Sequence, residues 1–151
     1  MDLSEITKDV YVGAQPDAAH AEALRALNIG LIINMRGELR PELIYTQPPF
    51  RSLWLRTYDF FLTPIRMRTL EEGTRAALAV IGQGQAVLVH CQRGRHRSVA
   101  MAAAILIAQG HTAREAMQLI RAQRPVADPT IWYIRRQIEA FERHWKKTSP
   151  P

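Results

Sequence analysis

The 151-residue sequence predicts an α/β fold, a small, mostly parallel central sheet flanked by helices. Two observations carry this. Leu31-Ile32-Ile33 and Ala86-Val87-Leu88-Val89 are continuous apolar runs, the pattern of strands covered on both faces. Strand-like and helix-like segments alternate in the first half, and helical patterns dominate after residue 98.

Taken in order, Ile6 and Val10–Gly13 read as a short strand pair or one bent strand, stopped by Gly13 and Pro16. Asp17 caps a helix over Ala18–Leu27, with Ala23, Leu24 and Leu27 on one face and Asn28-Ile29-Gly30 ending it. Leu31–Asn34 is an interior strand. Met35–Phe50 is irregular, broken by Gly37, Pro41, Pro48 and Pro49. Ser52–Arg56 is a strand, and Thr57–Arg68 a loop carrying Asp59, two phenylalanines and Pro64. Thr69 and Glu72 have capping-box spacing and open a helix to about Ile81. After the Ala86–Val89 strand, Ser98–Gln109 is an alanine-rich helix ended by Gly110. Thr112 and Glu115 form a second capping box for a helix to about Arg124, which Pro125 breaks. Asp128 and Pro129 start a last helix to about Trp145, on which Trp132, Tyr133 and Trp145 read as packing residues.

With 47% hydrophobic and 23% charged residues, this is the composition of a globular chain. We read residues 1–147 as a single catalytic domain and 148–151 as a frayed tail. The formal charge of +6, mostly arginine, favours anionic partners. A single cysteine excludes an internal disulfide and a multi-cysteine zinc site, and the five histidines show no ligand spacing. The longest apolar run, Val99–Ala108, falls short of the roughly 20 residues that span a bilayer. No signal peptide is apparent, so a cytoplasmic protein with a reduced thiol is expected, a monomer by default.

The chain is organised around Val87–Ala100, which reads as a buried strand, a tight basic loop and the start of a helix. In that geometry the backbone N–H groups of Gln92 to Arg97 turn inward as a nest over a helix N-terminus. The result is an anion site with the Cys91 thiol at its floor.

His90, Cys91, Gly94, Arg97 and Ser98 spell HCxxGxxRS, which resembles the signature of the cysteine-dependent protein tyrosine phosphatase superfamily, and the short chain looks like its dual-specificity branch. Ile6–Gly13, Ile32–Met35 and Arg124-Pro125 are also similar to that branch. The resemblance implies phosphate-monoester hydrolysis through a cysteinyl-phosphate intermediate, with no metal or cofactor. Cys91 is then the nucleophile, activated by the helix N-terminus and nearby cations. Arg97 grips two phosphate oxygens in the bound substrate and as charge develops. Gly94 supplies backbone angles closed to other residues. Ser98 donates to the sulfur, and His90 supports the loop through hydrogen bonds. The family takes its general acid from an aspartate about thirty residues earlier; Asp59 lies 32 residues before Cys91, with Glu38, Glu42 and His96 as weaker substitutes.

Gln92, Arg93, Arg95 and His96 make the loop unusually basic and face the pocket rim. HCQRGRHRS is similar to the HCxRGKHRT loops of plant and fungal atypical dual-specificity phosphatases associated with inositol pyrophosphates, as is Asn34–Glu38, though Ser98 stands in place of threonine. Arg36, Arg40, Arg51, Arg66 and Arg68 are expected to enlarge a positive mouth. A phosphorylated partner is therefore expected, either a phosphoprotein or a phosphoinositide or inositol polyphosphate or pyrophosphate. Two other readings stay open, a catalytically weak phosphate-binding module and an RNA 5′-phosphatase. The latter lacks a base-stacking aromatic pattern, so nucleic acid is disfavoured.

Overall fold

Strand β5 (Ala86–Cys91) is the centre of the structure, a computed structural model that describes residues 1–149. All six of its residues are buried. It lies between β2 (Val10–Ala14) and β3 (Ile29–Arg36), parallel to both. Beyond β3 comes β4 (Arg51–Thr57), also parallel; beyond β2 comes β1 (Leu3–Glu5), the one antiparallel strand. The order is β1-β2-β5-β3-β4. Cys91 pairs with Ala14, and His90 pairs with Gly13 on one side and Asn34 on the other, so the end of β5 opens at the C-terminal edge of the sheet. That edge is where α/β sheets place their sites.

Alternation along the strands divides the core in two. Val10, Val12, Leu31, Ile33, Met35, Val87 and Val89 face a layer of four helices, α2 (Met67–Gly82), α3 (Arg97–Ala108), α4 (Ala113–Gln123) and α5 (Trp132–Thr148). Tyr11, Ile32 and Leu88 face α1 (Ala21–Ala26), and Tyr45 and Phe50 cover the same side. Helix α3 is buried from Arg97 to Ile107, among α2, α4, α5 and the sheet. Its alanines let these neighbours approach closely, so it is apolar all round instead of striped.

The expected fold class is the one observed, and several local expectations are corrected. The first strand is Leu3–Glu5, and Ile6 is a buried turn residue between β1 and β2. Asp17 does cap, accepting from the Ala19 N–H at 2.9 Å, but it caps a 3-10 turn at Ala18–His20 that leads into the shorter α1. The buried face of α1 is Ala21 and Leu24, with Ala23 exposed. Asn28, at φ 60°, ends that segment alone, and Ile29 already belongs to β3. The irregular stretch is shorter than expected, because Met35 and Arg36 belong to β3 and Leu43–Thr46 forms a 3-10 turn.

Thr69 and Glu72 do not cap α2, which starts at Met67 after Arg66. Ile65 is buried, and its N–H donates to Gln137 Oε1 at 3.0 Å; this tertiary anchor sets the start of the helix. Asp128 is not the cap of α5, whose cap position is Ile131. The Asp128 N–H instead donates to the Arg95 carbonyl at 3.0 Å. Helix α5 continues past Trp145 to Thr148, so residue 148 is helical and the Ser149 N–H still bonds the Trp145 carbonyl. Pro150 and Pro151 of the expected tail lie outside the described residues. Only the Thr112–Glu115 box forms as read, with bonds of 3.1 and 2.8 Å.

Candidate active site

Residues 91–98 bind their own backbone outward. The Arg124 guanidinium takes the carbonyls of Gly94 at 2.8 Å and Arg93 at 2.9 Å, the Asp128 N–H takes Arg95, and the Ala100 N–H takes His96. In a planar trans peptide the next N–H points the opposite way from each carbonyl. The amides of Gly94, Arg95, His96 and Arg97 therefore turn away from those partners, and the Arg95 and Ser98 amides reach the Cys91 sulfur. Gly94 makes the turn at φ 63°, and a Cβ there would stand 2.7 Å from both Arg124 Nη2 and the Gly13 carbonyl oxygen. Arg124 is itself 2% exposed and held by Asp2 at 2.9 and 3.0 Å and by Ser4 at 3.1 Å.

Cys91 Sγ lies 3.2 Å from Ser98 Oγ. Burial raises the thiol, but the hydrogen bonds of the Ser98 hydroxyl and the Ser98 and Arg95 amides, with the Arg97 charge, outweigh it and lower the Cys91 pKa. Beside it, burial lowers the His90 imidazole to about 4, so the ring is neutral at ordinary pH. His90 Nδ1 has no hydrogen-bond partner among the described residues. A hydrogen bond with the Cys91 backbone works against that shift, and the ring is packed at the end of β5.

Arg97 is 4% exposed and its guanidinium is fixed from one side. Nη1 lies 2.9 Å from the Thr57 carbonyl, 3.2 Å from that of Met35 and 3.0 Å from Glu38 Oε2, while Nη2 lies 3.1 Å from Glu38 Oε1. This pairing pulls the Glu38 carboxyl down to about 2, against a smaller cost of burial. The Nε–H is buried and without a partner among the described residues. Glu38 is brought there by Asn34, fully buried, which accepts from the Arg36 N–H at 2.8 Å and donates to the Leu39 carbonyl at 2.9 Å. Glu38 is therefore no substitute acid but the partner of Arg97, and Glu42 is an exposed residue before the 3-10 turn.

Asp59, Cys91, Gln92, Arg93, Arg95, His96 and Arg97 line one cavity of about 150 Å³. Asp59 Oδ2 lies 2.8 Å from His96 Nδ1, and Asp59 Oδ1 accepts from the Tyr133 hydroxyl at 2.8 Å. Burial and then Asp59 push the Tyr133 phenol up to about 12. Tyr133, Glu38 and Arg124 are the residues that sequence reasoning misassigned or passed over. Each acts across 30 or more positions, which no spacing rule reveals.

The five arginines expected to enlarge the mouth do not line this cavity. Arg51 opens β4 and so lies at the opposite sheet edge. Arg40 lies in a separate hollow with Trp54 and Arg56, Arg66 in another beside Thr57 and Tyr58, and Arg68 is exposed on α2. Arg36 bonds Gln15 and Glu38. The exposed cations at the rim are Arg93 and Arg95, the latter 3.9 Å from Asp128. Among the described residues no cluster of His, Cys, Asp and Glu is arranged to hold a metal ion, and no helix is long and apolar enough to cross a membrane.

Residues 10–144 match the family model described as dual specificity phosphatase, catalytic domain. The chain is 35% identical over 143 residues to dual specificity phosphatase 28 of Mus musculus, covering 93% of this chain and 84% of the relative. A crystal structure of a human DUSP28 variant superposes with a TM-score of 0.84 at 25% identity and covers 99% of both chains. A structure of PTPMT1 in complex with PI(5)P has a TM-score of 0.84 at 23% identity, over 96% of this chain and 97% of that one, a likeness of fold.

Proposed function

This chain belongs to the dual specificity phosphatase family and is a cysteine-dependent phosphatase, and from that premise we propose that Cys91, Arg97, Asp59 and Ser98 carry its reaction. One observation supports this most: a single cavity is lined by the lowered thiol, the Arg97 guanidinium and the Asp59 carboxyl. The phosphate sits over the inward amides of residues 94–97, gripped by the free Nε–H of Arg97 and the remaining Nη2 hydrogen, with Gln92, Arg93 and His96 around it. Cys91 attacks phosphorus. The S–P bond forms as the ester P–O bond breaks, and the leaving oxygen takes a proton from Asp59. Asp59 then removes a proton from water as its oxygen attacks phosphorus, and the S–P bond breaks. Ser98 donates to the departing thiolate.

The substrate is phosphorylated, and we read it as a phosphoprotein. A cavity of about 150 Å³ is smaller than the roughly 300–1,000 Å³ of enclosing ligand sites, so it takes the phosphate and leaves the rest of the substrate across the rim. A second reading, a phosphoinositide or inositol polyphosphate, is favoured by the exposure of Arg93 and Arg95 beside the cavity and by the lipid bound to PTPMT1. We further read residues 1–147 as one catalytic domain, because one core runs from Ile6 to Phe141. A thiol that must stay reduced suits a cytoplasmic setting.

The test is phosphate release across phosphopeptides, phosphoinositides and inositol phosphates by the wild type and Cys91→Ser. Release from phosphopeptides by the wild type and none by Cys91→Ser is expected. Turnover by Cys91→Ser would remove the nucleophile assignment, and release confined to inositol-containing substrates would select the second reading.

A further inference from the structure

Both oxygens of the Asp59 carboxyl are engaged by residues from elsewhere in the fold. Tyr133 comes from the first turn of α5, and His96 from the phosphate loop itself, one position before Arg97. The two partners also meet each other, with Tyr133 Oη 3.4 Å from His96 Nδ1 and the rings edge to face at 5.9 Å. Among the described residues no backbone hydrogen bond ties Asp59, whereas the phosphate loop is held through four carbonyls. Neighbouring residues of the acid loop are open to solvent, with Phe60 47% and Leu62 68% exposed. A carboxyl on such a loop reaches a leaving group reproducibly only if side chains fix it.

We propose that Tyr133 and His96 are positioning residues of the general acid, each holding one oxygen of the Asp59 carboxyl. The inference rests on Asp59 being the acid. Tyr133 stays a phenol at any working pH and therefore always donates to Oδ1. The proton that moves thus lies on the Oδ2 side, in the 2.8 Å contact with His96 Nδ1. When the leaving oxygen takes it from Asp59, the carboxylate keeps the Tyr133 hydrogen bond and is oriented to deprotonate water in the second step. The other charged groups around this pair are Arg93, Arg95, Arg97 and the Cys91 thiol in the cavity, with Asp128 beside Tyr133.

The experiment measures kcat on a phosphoserine peptide, a poor leaving group, and on p-nitrophenyl phosphate, a good one, between pH 5 and 8. Because general acid catalysis is worth roughly 10²–10⁴-fold, loss of one of its fixing bonds in Tyr133→Phe is expected to cost about 10-fold on the peptide and under about 2-fold on the aryl ester. In an Asp59→Asn background, Tyr133→Phe is expected to cost nothing further. His96→Ala, which removes the partner of Oδ2, is expected to slow the peptide more than the aryl ester. Equal losses on both substrates, or an additive loss with Asp59→Asn, would overturn the positioning role. If Asp59→Asn alone slowed both substrates equally, the assignment of the acid itself would fall, a result distinct from these.

Discussion

Residues 91–98 and residues 58–66 meet at one cavity, and they are held in opposite ways. In the first, Arg97 and Ser98 are 4% and 0% exposed, and four successive carbonyls are tied to partners outside the cavity. In the second, Tyr58, Phe60, Phe61 and Leu62 are 47–68% exposed, and Asp59 is held by two side-chain bonds. The phosphate is the same in every substrate, so its cradle can be built into the core once and rigidly. The leaving group differs between phosphoserine and phosphotyrosine, and the proposed acid, Asp59, sits on a segment whose fixing bonds are few. Damage to the first region should therefore cost all substrates alike, and damage to the second should discriminate among them.

Arg97→Lys is the strongest way to break that contrast. A lysine ammonium cannot reproduce a planar fork that binds Glu38 with one edge and, in the proposed mechanism, phosphate with the other. The loss in kcat is expected to be about 10²–10³-fold, the range for removing one oxyanion-stabilising donor, and equal for aryl and alkyl phosphates. A loss that depends on the leaving group would show that Arg97 also governs the acid. Gly94→Ala comes next. A Cβ at φ 63° must push back Arg124 or the Gly13 carbonyl, each 2.7 Å away, and shift the amides beneath the phosphate. A displacement of about 1 Å at a reacting site costs on the order of 10²-fold, again expected on both substrates and readable as kcat/KM. Arg124→Met should do less, because it frees the Gly94 and Arg93 carbonyls without forcing a clash. We expect roughly 10-fold lower activity and a fall in Tm of several degrees, since leaving buried acceptors unpaired costs about 1–3 kcal/mol.

The same contrast explains what was legible in the sequence. The phosphate loop is specified by neighbours in the chain: strand Ala86–Cys91, Gly94 at positive φ and a helix opening at Arg97 all lie within a dozen or so residues, and the sequence shows them. The parallel sheet was legible for a similar reason, because Leu31–Ile33 and Ala86–Val89 are unbroken apolar runs. What failed depended on tertiary contacts. The start of α2 is set by buried Ile65 and Gln137, not by Thr69, and Asp128 serves the Arg95 carbonyl and not α5. Tyr133, which reads as a packing residue, spends its hydroxyl on Asp59, and Trp132 beside it is 55% exposed. A helical stripe announces that a face is buried, not which of its polar atoms meets a loop 74 residues away.

Glu38 belongs to neither region and sharpens the line between them. Its carboxyl is 38% exposed, like a residue of the acid loop, yet it grips the most buried cation of the phosphate loop. The Arg97 hydrogen bonds lower its pKa from 4.5 to about 2. A carboxyl depressed in the folded state stabilises that state above its unfolded pKa and loses the contribution as protons bind. The contribution is therefore full above about pH 4.5 and fades as the pH falls toward 2. Glu38→Gln keeps one acceptor and removes the charge, so its Tm should lie slightly below that of the wild type at pH 6 and converge on it as the pH falls toward 2. The difference is small because solvent screens a half-exposed carboxylate. Activity near neutrality should fall a few-fold on both substrates, since Arg97 keeps the Thr57 and Met35 carbonyls. A Tm difference that does not change with pH would mean that these backbone acceptors orient Arg97 by themselves. The rigidity of the phosphate loop would then owe nothing to the exposed segment that follows β3.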